Sequence, residues 1–595
     1  MSRRPVLLFD GECGFCRLWV ERWRAATGDA VAFEPYQSAA GRFPRLDAAA
    51  LAKAIHLVEP DGRVATGADA VFRALAAAPG WGFLSRLYGR APLFARAAEA
   101  AYGFVAARRP AFSALTRALW GRHLTPPPAA GTARALLAAL GLCYLAAFVS
   151  LGVQVRGLIG SEGVMPASQL LAAAGERLGP ERYWLLPSLA WLSASDAFLV
   201  GLCAAGALAA LALAAGLFPG PAALACWAFY LSLCAVGADF MNFQWDALLL
   251  EAGLLALLLA GWSRRPAAAP RPGALFLFKL LLAKLMLQSA LVKLVSGDPS
   301  WRDLTALVYH YWTQPLPAPS SWYAHQLPAW AHRAGCAAMF AIETVAPLLL
   351  FLPRRPRLLG AGLLAALQLL IAATGNYGFF NLLTAALCVA ALDDALPPLG
   401  RLAPPAKAPA PRRRALLAFG LAWAAVSLVQ TLPMFGLRPP APALAAAGAL
   451  APLRSINRYG LFAVMTKTRD EIVIEVSADG TDWRERRFRW KPSDPAAAPR
   501  FVAPHMPRLD WQMWFAALGS PQDSPWFGNL LYRLLTGAPA VEALLAPSPL
   551  TGKPQYARAA LYSYRFATPA EAKTDGAWWK RERKGLFFPV VSLKD

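Results

Sequence analysis

Of the 595 residues, 57% are hydrophobic and only 16% are charged, and the mean hydropathy is +0.38; this balance excludes an ordinary soluble enzyme and points to a polytopic membrane protein. The net charge of +23 is spread along the chain, with 17 basic against 10 acidic residues in 1–132 and 22 against 14 in 433–595. No basic stripe results, so the expected charged partner is the lipid bilayer and not nucleic acid.

The chain opens without a signal-peptide pattern: Ser2-Arg3-Arg4 is followed only by Val6-Leu7-Leu8-Phe9, which reads as a buried strand. Asp10-Gly11-Glu12-Cys13-Gly14-Phe15-Cys16 then leads into a helical pattern through Leu18, Trp19 and Trp23. A strand feeding Cys-x-x-Cys at a helix start is a thioredoxin-like redox arrangement, since a helix N-terminus favours thiolate and the short spacing lets a second cysteine resolve a mixed disulfide. A zinc site is the rival reading, but there is no second Cys-x-x-Cys and His56 alone cannot complete four ligands; no metal and no cofactor are expected. Eight scattered cysteines are no secreted disulfide framework. Residues 79–123 are basic and amphipathic, suited either to a membrane surface or to packing on the redox domain.

After Thr125-Pro126-Pro127-Pro128, hydropathy predicts about nine spans, roughly 17–25 residues each. They fall near 133–155, 194–218, 221–237, 246–262, 273–296, 334–352, 358–374, 378–392 and 415–432. With the N-terminus cytoplasmic, the inner loops hold Arg264, Arg265, Arg271, Arg354, Arg355, Arg357, Arg401, Lys407 and Arg412 to Arg414, whereas the outer stretch 297–330 holds only Arg302. This is the positive-inside bias, and an odd span count places the C-terminal domain outside.

Ionisable residues at membrane depth are costly and should face inward in pairs. The candidates are Asp246, Glu251, Lys284, Lys293 and Glu343, and Lys284 is expected to meet Glu343 or Glu251. The outer segment 293–330 leaves the membrane through Gly297-Asp298-Pro299 and is rich in rings. Trp301, Tyr309, His310, Tyr311 and Trp312 form either an aromatic belt or a surface for a ligand or client.

Residues 439–452 read as a Pro/Ala-rich linker. Beyond them, Glu471 to Ser477 and Trp483 to Trp490 alternate around Ala478-Asp479-Gly480, a hairpin signal. Asp510 to Leu518 and Trp526 to Leu535 read as helices, and Tyr556 to Phe566 and Gly585 to Leu593 as further strands. Trp511, Trp514 and Phe515 offer a second client-facing candidate, and Arg508 is expected to pair structurally with Asp510. The fold class is multidomain: a thioredoxin-like α/β domain over 1–125, a polytopic α-helical domain over 130–435 and an α+β domain with an antiparallel sheet over 453–595.

The spacing Asp10-x-x-Cys13-x-x-Cys16, with Asp61-Gly62 and Thr66-Gly67-Ala68-Asp69-Ala70, resembles the DCC family of thiol-disulfide oxidoreductase-like domains. That resemblance implies Cys13 as nucleophile, Cys16 as resolver and Asp10 as a shaping residue. Met241-Asn242-Phe243-Gln244-Trp245-Asp246, Ser296-Gly297-Asp298-Pro299, Asn457-Arg458-Tyr459-Gly460-Leu461-Phe462 and Pro507-Arg508-Leu509-Asp510-Trp511-Gln512-Met513-Trp514-Phe515-Ala516 resemble the lipase maturation factor family. It implies a polytopic protein that helps secreted lipases fold in the endoplasmic reticulum. Leu158 to Pro166 is similar to part of the vitamin K-dependent carboxylases. The Ala/Pro/Arg-rich composition fits a bacterial member in the inner membrane, with a periplasmic C-terminal domain.

Two function classes follow. One is a membrane-bound maturation factor for exported clients, a lipase among the candidates. The other is a membrane enzyme, either a Cys-x-x-Cys redox enzyme acting on a cytosolic thiol partner or a carboxylase-like modifier using an intramembrane Lys.

Overall fold

A computed structural model describes residues 4–44, 46–121, 124–264, 272–403 and 413–593. Arg265, Arg271, Lys407 and Arg412, named above as inner-loop charges, and His123 lie outside the described residues. The chain divides into two compact units, Met1–Pro128 with Leu352–Leu358, and Ala129–Phe351 with Leu359–Asp595.

In the first unit, β1 (Val6–Phe9), β2 (Ala32–Pro35), β3 (His56–Val58) and β4 (Val64–Thr66) form one sheet in the order β2-β1-β3-β4. β1 runs parallel to β2 and antiparallel to β3, which pairs antiparallel with β4. Every residue of β1 is buried because both faces are covered. Leu7 and Phe9 join Cys16, Val20 and Ala70 on one side, and Val6 and Leu8 join Ala39 and Leu51 on the other, as period-two alternation requires. The amphipathic tail folds as helices Gly82–Arg90, Pro92–Ala107 and Arg109–Trp120. It packs back on the sheet: Ile55 N donates to Tyr102 Oη at 2.9 Å, and Trp120 lies edge-on to Trp19. Glu99 caps the Gly67–Leu75 helix by accepting from Ala68 N and Asp69 N.

All nine segments expected to span are helical. Among the described residues six helices are long and apolar enough to cross a membrane: Ala130–Gly152, Asp196–Ala215, Pro219–Val236, Gly273–Val295, Arg354–Thr374 and Arg414–Phe435. The other three fall short for physical reasons. Gln244–Leu259 has 16 residues, a rise of about 24 Å, and it is the buried centre of the bundle. Ala329–Leu349 carries His332, Arg333 and Glu343, and Phe380–Cys388 is short even with Val389–Ala391 added.

The C-terminal part builds an antiparallel sheet in the order β6-β5-β7-β8 from β5 (Arg469–Ser477), β6 (Arg484–Arg486), β7 (Tyr556–Phe566) and β8 (Trp579–Ser592). Ile474 faces Arg486 on one side and Ala559 on the other. Helices Arg508–Ala516 and Pro525–Thr536 pack against it, and Trp526, Phe527, Leu530, Leu531 and Leu534 share one core with the bundle helices. The expected linker over 439–452 is instead largely a helix, Ala441–Leu450. Alanine is the strongest helix former, and the prolines fall at or near its first turn, where the missing N–H costs nothing.

Candidate functional site

The dithiol follows directly from β1. Cys13 caps the Gly14–Thr27 helix, its Sγ accepting from Cys16 N at 3.3 Å, and both cysteines are free thiols. Cys13 is half-buried and Cys16 buried. Burial first, then the contact with Cys13, pushes the Cys16 thiol up to about 12. Asp10 is fixed beside the pair: its Oδ1 accepts from Gln37 Nε2 at 2.8 Å and Glu12 N at 3.0 Å, and its Oδ2 lies 3.7 Å from Arg109 Nη1. Arg109 is itself held by the carbonyls of Ala52 and Lys53. An accessible sulfur at a helix start, backed by a buried protonated one, is the geometry that nucleophile-and-resolver chemistry needs. The sequence reading missed Gln37 and Arg109, which nothing in the local Cys-x-x-Cys spacing indicates.

The second site is a junction of buried charges where the C-terminal part meets the bundle. Arg508 makes a bidentate pair with Asp246, at 2.9 Å and 2.8 Å, and also donates to Phe240 O and Tyr230 Oη. Tyr230 Oη donates in turn to Asp246. The expected Arg508–Asp510 pair does not form. On one helical turn a side chain and its second neighbour point apart, so Asp510 accepts instead from Trp490 N and Lys491 N, both at 2.9 Å. Burial holds the Asp510 carboxyl up at about 6 despite those donors.

Glu251, fully buried, gathers four donors: Lys284 Nζ, Trp423 Nε1 at 2.8 Å, Tyr459 Oη at 2.5 Å and Asn457 N at 3.1 Å. Lys284 therefore meets Glu251, one of its two expected partners. Glu343 is taken by Lys293, at 3.0 Å and 2.8 Å. All five intramembrane charges singled out in the sequence are thus paired, as low dielectric demands. The backbone of Gly460 is held by the Gln244 side-chain amide, whose Nε2 donates to Gly460 O and whose Oε1 accepts from Gly460 N, both at 2.9 Å. Its φ of +150° and the 2.7 Å approach of a notional Cβ to Val292 explain why this position is glycine. Asp298 accepts from Met465 N at 2.6 Å, and Trp301 Nε1 donates to Phe462 O. The four segments that carried the family resemblance therefore converge on this one junction.

The ring-rich segment 293–330 is largely covered. Trp301 is 3% exposed; Trp312 packs with Tyr564, Phe566 and Trp579. Arg469, missed in the sequence, donates to the carbonyls of Trp312, Gln314 and Pro315. His310 Nε2 and Tyr377 Oη lie 2.9 Å apart, and Tyr377 Oη donates to Gln314 Oε1. Burial, reinforced by the Lys293 charge, lowers the His310 ring to about 4. Trp511 is 3% exposed, wedged against Trp245, and Trp514 Nε1 donates to Thr313 O. Trp301, Trp511 and Trp514 are thus covered, Trp301 among Cys336, Phe340 and Met465 and the other two where their helix meets the bundle. Tyr309 and Tyr311 are half-buried, and Phe515 is 45% exposed. Among the described residues no group of three His, Cys, Asp or Glu side chains is placed to hold a metal.

Three family models match the chain: a DCC1-like thiol-disulfide oxidoreductase over residues 7–115, the lipase maturation factor transmembrane domain over 132–397, and the lipase maturation factor C-terminal domain over 455–589. Lipase maturation factor 2 of Gallus gallus is 36% identical, covering 77% of this chain and 81% of the relative; that of Homo sapiens is 36% identical, over 76% and 81%. Lipase maturation factor 1 of Bos taurus is 32% identical, over 77% and 89%. No solved structure matches. With its motifs gathered at one buried junction and more than four-fifths of these relatives' lengths matched, the chain belongs to the lipase maturation factor family and carries an added DCC1-like thiol-disulfide oxidoreductase domain.

Proposed function

We propose that this chain is a membrane-bound maturation factor for exported proteins, with lipase-like clients, and that the bundle and its C-terminal sheet are the maturation device. The observation that carries this reading is the joint match to relatives named for lipase maturation, over both the membrane and the C-terminal parts. A folding factor needs surfaces that take up apolar segments reversibly; Phe515, Tyr309 and Tyr311 are the proposed contact residues, with Trp301, His310, Trp312, Trp511 and Trp514 supporting them from beneath. The test is the yield of active secreted lipase in cells lacking the chain. Re-expression should restore it, and normal lipase activity without the chain contradicts the reading.

The proposed crossing number is nine, with the three shorter helices included, in a bacterial inner membrane. The Lys/Arg bias of the loops then supports a cytoplasmic N-terminus and a periplasmic C-terminal domain.

A second reading, favoured by the half-buried Cys13 at its helix cap, makes the N-terminal domain a disulfide reductase for a cytosolic partner. Cys13 sulfur attacks the partner's disulfide, forming a mixed disulfide and releasing one partner thiol. The Cys16 sulfur then attacks Cys13 Sγ, breaking the mixed disulfide and releasing the partner's second sulfur as a thiol that takes the Cys16 proton, so that two electrons pass to the partner and the domain is left as the Cys13–Cys16 disulfide. A cellular dithiol returns it to the reduced form. A carboxylase-like use of an intramembrane Lys has weaker support, since Lys284 and Lys293 are both bound to carboxylates.

A further inference from the structure

We propose that the cleft between residues 487–500 and 546–547 binds an amphiphile with an anionic head and an apolar chain. It encloses about 490 Å³, within the roughly 300–1,000 Å³ of small-ligand sites. Its walls are ring and proline surfaces, chiefly Phe488, Trp490, Pro499, Pro547 and Trp579. Two arginines, Arg489 and Arg500, also line it and are exposed.

The charges in the cleft do not balance. Arg487 is paired with Asp494 at 2.7 Å, and Lys491 with Glu471 at 2.6 Å. Arg489 spends only its Nε, on Leu545 O at 2.7 Å, and among the described residues neither it nor Arg500 has an acidic partner. Two open guanidinium forks beside an apolar recess match a carboxylate or phosphate joined to a hydrocarbon chain. A bare anion would leave the recess empty, and a neutral chain would leave the forks unused.

The position fits an amphiphile better than a peptide. Pro317, from the segment joining two bundle helices, forms part of the wall. Asn376, in another such connection, fastens the cleft's 500–503 side by accepting from Val502 N at 2.7 Å and donating to Arg500 O at 2.8 Å. The cleft therefore sits at an end of the bundle, where chains leaving the bilayer are at hand. The ligand has two sources, a free fatty acid or an anionic phospholipid. The site needs no client and stands apart from the maturation reading.

The test uses the full chain purified in detergent, with tritiated oleate and tritiated phosphatidylglycerol as separate probes and phosphatidylcholine as the zwitterionic control. Saturable binding of oleate alone identifies a fatty carboxylate, and binding of phosphatidylglycerol identifies a headgroup. Either should weaken about tenfold for each of Arg489→Gln and Arg500→Gln, recover largely in Arg489→Lys and Arg500→Lys, and vanish in Ala498→Trp, which fills the recess. An unchanged melting temperature certifies the fold; should a Gln variant not fold, Ala498→Trp decides. Equal binding of phosphatidylcholine, unchanged affinity in the variants, no saturable binding, or capture only of an acidic peptide would each overturn the proposal.

Discussion

The dithiol unit and the bundle unit treat their reactive groups in opposite ways. In the first, the Cys13 thiol at its helix start is half-buried, and Asp10, Gln37 and Arg109 hold one another. In the second, Asp246, Glu251, Lys284, Lys293, Glu343 and Arg508 are inside and each is matched. A group meant to react must be reachable, whereas charges buried beside a membrane are tolerated only when each meets an opposite charge. The difference fits the proposed redox role of the first unit and a structural role for the buried charges of the second.

The largest effect should come from breaking a buried match. Arg508→Met strands Asp246 and Tyr230 and should cost about 3–5 kcal/mol, seen as loss of monodisperse protein in fluorescence-detected size exclusion. Asp246→Leu combined with Arg508→Met should cost less than either single change. If the double variant is less stable than both, the two side chains hold the junction chiefly through other contacts, such as Arg508 to Phe240 O and Tyr230 to Asp246. Next comes Trp511→Ala, which opens a cavity beside Trp245 and should cost about 3–5 kcal/mol, while Phe515→Ala, at the exposed end of the same helix, should stay within about 0.5–1 kcal/mol. A client surface at this helix would reveal itself as lost maturation in Phe515→Ala at unchanged melting temperature.

A smaller effect separates the units by chemistry. Cys16→Ser should accumulate mixed disulfides at Cys13, Cys13→Ser should form none, and neither should move the melting transition of the bundle unit. The smallest effect is in pH. His310 is neutral in the folded state because its ring is held at about 4, below its ordinary 6.5. The unfolded chain therefore takes up the proton first, and stability present above pH 6.5 is lost as pH falls toward 4, on the order of 2 kcal/mol for this one partly covered ring. His310→Gln should flatten that part of the profile.

Much of the architecture was legible in the sequence. Long apolar runs announce themselves, period-two alternation locates the β5–β6 hairpin, and Cys-x-x-Cys after a strand locates the dithiol. The cost of isolated charge at membrane depth predicted that Lys284 would find a carboxylate. Partner choice was less legible, because which carboxylate it finds depends on helix rotation, which a nearly all-apolar helix such as Gln244–Leu259 does not encode. Nearness in sequence pairs Arg508 with Asp510, two residues away, whereas its partner Asp246 is 262 positions distant. The ring-rich segment read as a surface because aromatics suit both membrane boundaries and domain seams, and only the sheet that covers it distinguishes the two. Arg469 and Tyr230 carried no local signal, being ordinary members of a strand and of an apolar helix.

Nine crossings and six crossings differ in parity, so one measurement reaches the core of the account. In sealed right-side-out cells, a membrane-impermeant maleimide should leave Cys13 unlabelled until lysis and should label a cysteine introduced at exposed Thr481 (Thr481→Cys) at once. Equal access to both from the same side would mean an even number of crossings, and the dithiol and the maturation device would then share a compartment.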